Sequence, residues 1–487
     1  MEDGKSECRS TSNEAGEPAQ GTPSSKGRHR VTESFEGKIM ETPSSENIST
    51  KLERIARLAR EAPGMGFTTL AHHIDIAWLH EAHRRTRKDG AVGVDRQTAE
   101  EYANNLESNL QSLLDRAKSG TYHAPPVRRV HIPKGSGAET RPIGIPTFED
   151  KVLQRAVAMV LEAVYEQDFL DCSYGFRPHR SAHHALQALW NVATRTAGGW
   201  ILEIDVRKFF DSMDHRHIRT ILRKRVLDGV LLRLIDKWLH AGVLENGNIM
   251  FPESGSPQGG VVSPIIANIY LHEVLDTWFD RDVGPRLSRC ATLVRYADDA
   301  VLFFERERDA REVMALLPER FGEFGLSLHP EKTRLVEFKR PDYRASLVRD
   351  GARRPGTFDF LGFTHYWCMP HSGKWTIRRS TAGDRFRRAL RNVTGWCRRN
   401  RHLSVRLQHE SLQRKLRGHC GYFGITGNYV ALKMFRYKVT MSWWRALASR
   451  SQRSRLNWDR MARLLKRYPL PLAATRQRMA SNRAAKP

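Results

Sequence analysis

Apolar positions recur with two different periods along this chain, and the change between them marks its organisation. Residues 49–120 repeat apolar side chains every three or four positions, in KLERIARLAREA, HIDIAWLHEAHRRT and TAEEYANNLESNLQSLLDRAKSG. This spacing places the apolar side chains on one helix face, and Gly120 suits a helix end. We predict a helical N-terminal extension over 49–120. Residues 1–48 are rich in Ser, Thr, Gly, Glu and Pro, which predicts a disordered tail.

Between residues 121 and 368, short apolar or alternating segments typical of strands lie among helical ones. The segments predicted to contain strands are VRRVHIPK, WILEID, TLVRYADDAVLFF, LSLHPEKTRLVEF and FDFLGFTHYW, while RPIGIP suits a strand end or a loop. The helical period dominates FEDKVLQRAVAMVLEAVYEQDF, HHALQALWNVAT and DGVLLRLIDKWLHA. After Trp375 the helical period resumes as far as Tyr468. The pattern predicts an α+β multidomain protein with a helical region over 375–468.

Length and composition narrow the class of protein. A chain of 487 residues predicts two to four domains, at roughly 100–200 residues for each domain. The mean hydropathy is −0.55, and the sequence lacks the run of about 20 apolar residues that a membrane span needs. Six cysteines without a C-x-x-C spacing argue against a zinc site or a disulfide framework. We expect reduced thiols, a cytoplasmic location and no membrane partner.

The positive charge is concentrated at one end of the chain. Lys and Arg number 80 against 54 Asp and Glu, which gives a net charge of +26. Residues 371–487 hold 29 of the basic residues and three acids, so this segment carries the whole excess. Five tryptophans are interleaved with these charges, at positions 375, 396, 443, 444 and 458. Phosphate neutralisation together with aromatic stacking predicts a nucleic-acid partner, in preference to a solvated charged surface.

Three carboxylates stand where apolar segments end. Asp298 and Asp299 separate LVRYA from AVLFF, and Asp205 ends WILEID. A tight turn between two strands would expose both members of the adjacent pair, whereas a continuous strand would bury one of them. Carboxylates at neighbouring strand ends suit Mg²⁺, and two such ions can support phosphoryl transfer. A polar turn capped by Asp is the alternative interpretation of Asp298 and Asp299.

Two further features suit a phosphate-bearing ligand, although each has an ordinary explanation. The segment GSPQGG, residues 255–260, is a turn in which glycines would let the backbone approach a ligand closely. Lys134 and Arg141 flank a predicted hairpin, and both side chains could reach a triphosphate. An ordinary loop and a pair of surface charges are the alternatives.

The order of the segments resembles that of the conserved blocks of reverse transcriptases. These segments are RPIGIP, SYGFRP, EIDVRKFFDSMDH, GSPQGGVVSPIIANIYL, VRYADDAVLFF, LHPEKTRLV and FDFLGF. The sequence is most similar to reverse transcriptase–maturases encoded by bacterial group II introns, over about residues 50–460. The resemblance implies a right-hand polymerase, with fingers and an antiparallel-sheet palm over 121–368. It also implies a helical thumb or maturase domain over 375–468, which includes LQRKLRGHCGYFGITGNY, and a basic tail over 469–487.

The resemblance also assigns roles to individual residues. It implies two Mg²⁺ ions held by the catalytic residues Asp205, Asp298 and Asp299. Phe210 would exclude a ribose 2′-hydroxyl, unless it is a core residue like its neighbour Phe209. The other residues implied to bind the nucleotide are Lys134, Arg141, Gln258 and Lys332. Primer positioning falls to Phe360, Leu361 and Gly362, and RNA binding to Arg414, Lys415 and Arg417.

The resemblance implies an RNA-directed DNA polymerase that copies its intron RNA and assists splicing and mobility. The expected partners are intron RNA, a DNA target, a primer–template duplex and deoxynucleoside triphosphates. No cysteine follows Cys420, which resembles lineages without the C-terminal endonuclease. One alternative is a splicing cofactor without polymerase activity, against which the three aspartates argue. Another is a related reverse transcriptase recruited to phage defence or CRISPR adaptation.

Overall fold

The structure is a computed structural model in which eight segments of the chain are described. They are residues 45–133, 140–245, 247–251, 255, 259–341, 356–370, 373–450 and 456–474. The α-helices are α1 (Ser45–Glu61), α2 (Ile76–Arg85), α3 (Ala99–Ala103), α4 (Leu106–Ser119), α5 (Phe148–Tyr165), α6 (Ala182–Arg195), α7 (Phe209–Ser212), α8 (His215–Arg223), α9 (Gly229–Leu239), α10 (Ser263–Leu271), α11 (Glu307–Glu323), α12 (Gly383–Arg399), α13 (Val405–Phe423), α14 (Tyr429–Ala448) and α15 (Trp458–Arg467). The strands are β1 (Val127–Pro133), β2 (Thr140–Ile145), β3 (Gly198–Ile204), β4 (Val243–Glu245), β5 (Asn248–Met250), β6 (Ala291–Tyr296), β7 (Asp299–Phe304), β8 (Arg334–Lys339), β9 (Phe358–Phe360), β10 (Phe363–Cys368) and β11 (Thr376–Thr381).

Helices α1 to α4 form the predicted N-terminal extension, and α1 and α2 pack against α5. Helix α1 begins before the predicted boundary at residue 48, and the buried side chain of Ile48 belongs to it. The last residues of the predicted disordered tail are therefore helical, while residues 1–44 lie outside the described part. Gly120 ends α4 with a φ of 84°, a left-handed conformation that glycine adopts without strain.

The central sheet has the strand order β6-β7-β3-β8, and every neighbouring pair in it is antiparallel. Successive side chains of a strand point to opposite faces, so β3 and β7 contribute to two cores. One face, including Leu202 and Leu302, packs on a large cluster with α5, α10 and α11. The other face, including Ile201 and Phe303, packs on α6 and on a three-stranded sheet with the order β11-β10-β9. Burial on both faces explains why these strands read as nearly continuous apolar runs.

The first sheet has the strand order β2-β1-β4-β5. Strands β1 and β2 form an antiparallel hairpin, so RPIGIP belongs to a strand rather than to a loop. The pairing of β1 with β4 is parallel. The short strands β4 and β5 were not predicted, because LENGNIM carries little of the alternation that indicates a strand.

The prediction that residues after Trp375 are helical is wrong for Thr376–Thr381, which form β11 and pair with β10. Alternate residues of this strand point inward, and they include the mainly buried Arg379. The Arg379 guanidinium donates to the carbonyl of Leu186 at 3.1 Å and lies over the Trp190 ring. The inward polar side chains hid the strand pattern, and the helix begins only at Gly383.

Helices α12 to α15 pack around a separate apolar core that includes Leu416, Val439 and Trp443. Part of the predicted basic tail belongs to this unit. Leu470 is buried, and the carbonyl of Pro471 accepts a hydrogen bond from Arg436 Nε at 3.0 Å. The five cysteines within the described segments are free. No helix of those segments is long and apolar enough to cross a membrane.

Candidate active site

The turn that carries Asp298 and Asp299 joins two strands at the edge of the central sheet. Tyr296 and Asp299 pair across β6 and β7, which leaves Ala297 and Asp298 as a two-residue loop. Ala297 has a φ of 56°, the positive value that one class of tight hairpin requires at its first loop position. Asp299 is exposed and Asp298 is half-buried, so the turn leaves both residues in contact with solvent, as the sequence predicted.

Asp205 follows directly after β3, the strand that pairs with β7. The register places Ile204 opposite Ala300, so Asp205 emerges beside Asp299. Its backbone carbonyl accepts a hydrogen bond from the amide of His329 at 2.8 Å. The same segment brings Lys332 Nζ to 3.6 Å from the Asp205 carboxylate. Asp205 and Lys332 therefore lie at one site, although 127 positions separate them in the sequence.

The neighbouring charges act on the Asp299 carboxyl group. Partial desolvation is the main factor that raises the pKa of Asp299 to about 6, and the charges of Asp298 and Asp205 raise it further. Arg385 and Arg141 oppose this shift. As they stand, the described segments contain no group of three acidic, His or Cys side chains close enough to hold a metal ion. The donor set nevertheless suits Mg²⁺, because its ligands are carboxylates whose mutual repulsion a divalent cation would relieve.

Phe210 and the glycine-rich turn lie next to each other. Phe209 is buried in the main core, whereas Phe210 is only partly buried at its edge. Gly255 lies so close that a β-carbon there would be 2.9 Å from the Phe210 carbonyl. A β-carbon on Gly259 would be 2.4 Å from the Gly144 carbonyl in β2. Gly255 thus lies against the Phe210 backbone and Gly259 against β2, while Gln258 lies outside the described residues.

The first sheet also contributes a positive charge to the site. Arg141 is exposed on β2, where it pairs with Ile132, and its charge acts on Asp299. Arg141 is therefore close enough to act on the carboxylate of Asp299, and its contact with a triphosphate stays a prediction. Lys134, the other residue of the predicted pair, lies outside the described residues.

The turn between β9 and β10 approaches the site together with two residues that the sequence reasoning missed. Leu361 and Gly362 have φ values of 50° and 79°, and Phe360 is buried beneath them. The Tyr422 hydroxyl donates to the carbonyl of Leu361 at 2.8 Å, and Asp299 contributes to raising the pKa of Tyr422, mainly a result of burial. Arg385 from α12 lies over Gly362. Tyr422 belongs to the stretch GYFGITGNY, in which the sequence pattern indicates only the basic residues that precede it.

Gln154, which the sequence pattern did not indicate, forms hydrogen bonds with the backbone directly after the glycine-rich turn. Its buried side-chain oxygen accepts hydrogen bonds from the amides of Val261 at 2.6 Å and Val262 at 3.3 Å. Its nitrogen donates to Asp150 at 3.0 Å. Burial raises the pKa of Asp150 to about 6, opposed by hydrogen bonds from Tyr122, Trp238 and Gln154. Gln154 thus fixes the backbone that follows Gly259 and Gly260.

Replacing Gln154 by Leu should destabilise the protein, because it removes the acceptor of two backbone N–H groups. A buried group without a partner costs about 1–3 kcal/mol. We expect a loss of that order in the free energy of unfolding, measured by urea denaturation. Gln111→Leu on the exposed face of α4 serves as the control and should change stability little. Equal stability of the two variants would contradict the supporting role of Gln154.

The predicted RNA-binding residues lie on α13, the same helix that brings Tyr422 to the site. Arg414, Lys415 and Arg417 are all exposed. Lys415 Nζ lies 5.4 Å from the centre of the Trp396 ring, and Arg414 donates to the Ser411 hydroxyl at 3.4 Å. The three charges therefore project from a helix whose other side packs in the C-terminal core through Leu412 and Leu416.

Part of the chain matches a known protein family. Residues 132–365 match the family model described as reverse transcriptase (RNA-dependent DNA polymerase). This segment contains the three aspartates, Phe210, the glycine-rich turn, Lys332 and the residues around Gly362. The C-terminal helices lie beyond the matched segment.

Curated relatives include proteins from bacteria and plants. The chain is 37% identical over 249 residues to the group II intron-encoded protein LtrA of Lactococcus lactis, covering 49% of this chain and 40% of that protein. It is 37% identical over 233 residues to protein YkfC of Escherichia coli, covering 46% and 61%. It is 30% identical over 128 residues to nuclear intron maturase 4, mitochondrial, of Arabidopsis thaliana, covering 26% and 16%. The matches thus span less than two thirds of these relatives.

Proposed function

We propose, from the premise that this chain carries a reverse transcriptase domain related to those of group II intron-encoded proteins, that it is an RNA-directed DNA polymerase. The observation that carries the proposal is that Asp205, Asp298 and Asp299 lie at the adjoining ends of the central strands β3 and β7, with Phe210 and Arg141 nearby. In a right-hand polymerase, the central sheet would be the palm and the first sheet the fingers. Helices α12 to α15 would form the thumb.

Each residue at this site has a role in the proposed reaction. Asp205, Asp298 and Asp299 would hold two Mg²⁺ ions, which supply charge stabilisation for the attacking and leaving oxygens. Phe210 would lie against the sugar of the incoming nucleotide and exclude a 2′-hydroxyl. Arg141, Lys332, Lys134 and Gln258 would bind the rest of the nucleotide. The turn at Phe360, Leu361 and Gly362 would position the primer end, supported by Tyr422.

The proposal is tested by extension of a DNA primer on an RNA template. Purified protein should incorporate deoxynucleotides when Mg²⁺ is present and should stop when EDTA removes it. Binding of the primer–template should persist in EDTA, because the carboxylates repel phosphate whereas the basic helices attract it. Extension that continues without any divalent cation would contradict the assignment of the carboxylates.

We further propose that the protein binds its intron RNA through the C-terminal helices and assists splicing and mobility of the intron. Three features support this role. The charge excess of +26 falls on residues 371–487, Arg414, Lys415 and Arg417 are exposed on one helix, and the relatives include an intron-encoded protein and an intron maturase by name. Each phosphate contact releases counterions, so binding should weaken steeply as salt rises.

Replacing Arg414, Lys415 and Arg417 together by Gln should weaken binding of intron RNA and slow protein-assisted splicing. Each lost phosphate contact should reduce the slope of log affinity against log salt by about 0.7–0.9. The measurement is RNA affinity by filter binding across a salt series, with circular dichroism as the folding check.

A matched triple variant distinguishes the effect of a specific RNA-binding surface from the effect of net charge alone. Arg463, Lys466 and Arg467 are also exposed, on α15, and their replacement by Gln removes the same charge. The proposal expects the α13 variant to lose more affinity and more of the salt slope than the α15 variant. If the folded α13 variant binds with unchanged affinity and slope, these residues do not contact the RNA.

A further inference from the structure

Arg295 is a fully buried cation directly behind the candidate active site. It lies on β6, near the end that leads into the turn with Asp298 and Asp299, and neither Arg295 nor its partner Asp276 is exposed. Arg295 donates to the two carboxylate oxygens of Asp276 through Nε at 2.7 Å and Nη2 at 2.5 Å. Burying two charges is costly, and such a pair persists only when its geometry and remaining hydrogen bonds are good.

The remaining donors of Arg295 point to the structures around the turn. Nη1 donates to the backbone carbonyl of Ala297 at 3.1 Å and to Asn268 Oδ1 at 3.0 Å. Nη2 also donates to the Ser173 hydroxyl at 2.8 Å. Together with the bonds to Asp276, these contacts use all five N–H groups of the guanidinium. One of the contacts is to the loop of the turn itself.

The neighbours of Arg295 hold the turn from a second side. Asn268 Nδ2 donates to the carbonyl of Gly175 at 2.6 Å. The Gly175 backbone lies so close to the turn that a β-carbon there would be 2.3 Å from the Ala297 amide nitrogen. The amide of Tyr174 donates to the carbonyl of Arg295 at 2.8 Å. The SYGFR loop, α10 and the turn are therefore linked through one side chain.

We infer that Arg295 is a positioning residue that fixes the Ala297 carbonyl, and with it the turn that presents Asp298 and Asp299 to the metal ions. This inference rests on the proposed function. An apolar residue would fill the space without the cost of a buried charge. A lysine would keep the charge, but its three donors on a flexible stem do not reproduce the planar fork. The contacts thus use the five N–H donors and the planar shape that only an arginine side chain provides.

A second buried arginine provides a matched control. Arg225 donates to Asp168 at 2.9 Å and to the carbonyls of Ala59, Ala62 and Met65, all within 3.0 Å. Its contacts join the end of α1 and the segment after it to Asp168, and they involve no residue of the candidate site. Arg295→Lys and Arg225→Lys therefore make the same chemical change in two buried networks, of which only one contacts the turn.

Both variants should lower the melting temperature, but only Arg295→Lys should alter the site. Per folded molecule, it should lower the rate of single-nucleotide addition and raise the Mg²⁺ concentration for half-maximal rate, by about 10–100-fold in activity or metal affinity. The dissociation constant for the primer–template should stay near that of the wild type. Hydrogen exchange in the peptide spanning residues 291–304 should become faster in Arg295→Lys and not in Arg225→Lys.

The inference is overturned if folded Arg295→Lys keeps the wild-type rate, Mg²⁺ dependence and exchange of residues 291–304. If this variant does not fold, Asn268→Ala replaces it, because it keeps the ion pair and removes one link to the turn. The same shifts, smaller in size, are then expected, and their absence overturns the inference. Failure of the wild type to extend a primer would instead refute the proposed function, and the exchange comparison would still decide the role of Arg295.

Discussion

Replacing both Asp298 and Asp299 by Ala is expected to abolish DNA synthesis. The two carboxylates lie on one turn beside Asp205, and each would supply a ligand oxygen to the metal ions. Groups that act as a unit lose most of their effect when any one is removed, so a decrease of more than about 10³-fold in rate is expected. The measurement is single-turnover extension of a DNA primer on an RNA template.

A measurement of primer–template binding distinguishes loss of catalysis from loss of the fold. The basic helices are distant in sequence, so affinity for the primer–template should largely survive in the double variant. Asp280→Ala with Asp282→Ala removes the same charge from exposed positions and should leave synthesis intact. Undiminished synthesis by the Asp298/Asp299 variant would contradict the assigned role of both residues.

Replacing Phe210 by Val is expected to relax selection against ribonucleotides. Phe210 is only partly buried at the edge of the main core, and its backbone carbonyl lies next to Gly255. A smaller side chain would leave space for a 2′-hydroxyl, and fit of a single small group changes discrimination by about 10–200-fold. The readout is the ratio of kcat/KM for a ribonucleotide to that for the matching deoxynucleotide.

The neighbouring phenylalanine is the control for this prediction. Phe209 is buried and packs edge-on against Phe210 at 5.2 Å between ring centres. Phe209→Leu should reduce the melting temperature without shifting the sugar ratio. If Phe210→Val retains activity and the ratio stays unchanged, Phe210 is a core residue, the alternative that the sequence left open.

The sequence predicted those parts of the fold whose signals are local. The hairpin of β6 and β7 was predictable because apolar runs flank a polar pair, and the two faces of the central sheet are both buried. Strand β11 was not, because TIRRST carries inward-facing polar side chains that pair with distant groups. The packing of Leu470 was equally hidden, since no periodicity marks a single buried residue in an extended segment.

The same distinction applies to the candidate site. Asp205, Asp298 and Asp299 were predicted because they stand where apolar segments end, and the role of Phe210 was predicted because its segment resembles one of the reverse transcriptase blocks. Tyr422 and Arg385 contact the turn between β9 and β10 through the tertiary packing of α12 and α13. Gln154 accepts a hydrogen bond from a backbone amide 107 positions away, and Arg295 links the nearby Ala297 carbonyl to Ser173 and Asn268, which are 122 and 27 positions away. Such long-range contacts leave no local pattern.

The most direct test of the central claim is addition of one nucleotide opposite a known base of an RNA template. Wild-type protein is mixed with a DNA primer annealed to that template, Mg²⁺ and each deoxynucleotide in turn, and the products are resolved by length. We expect rapid addition of the complementary deoxynucleotide, slow addition of the other three, and much slower addition by the Asp298/Asp299 variant. Tight binding of the primer–template without templated addition under any divalent cation would contradict the proposed polymerase function.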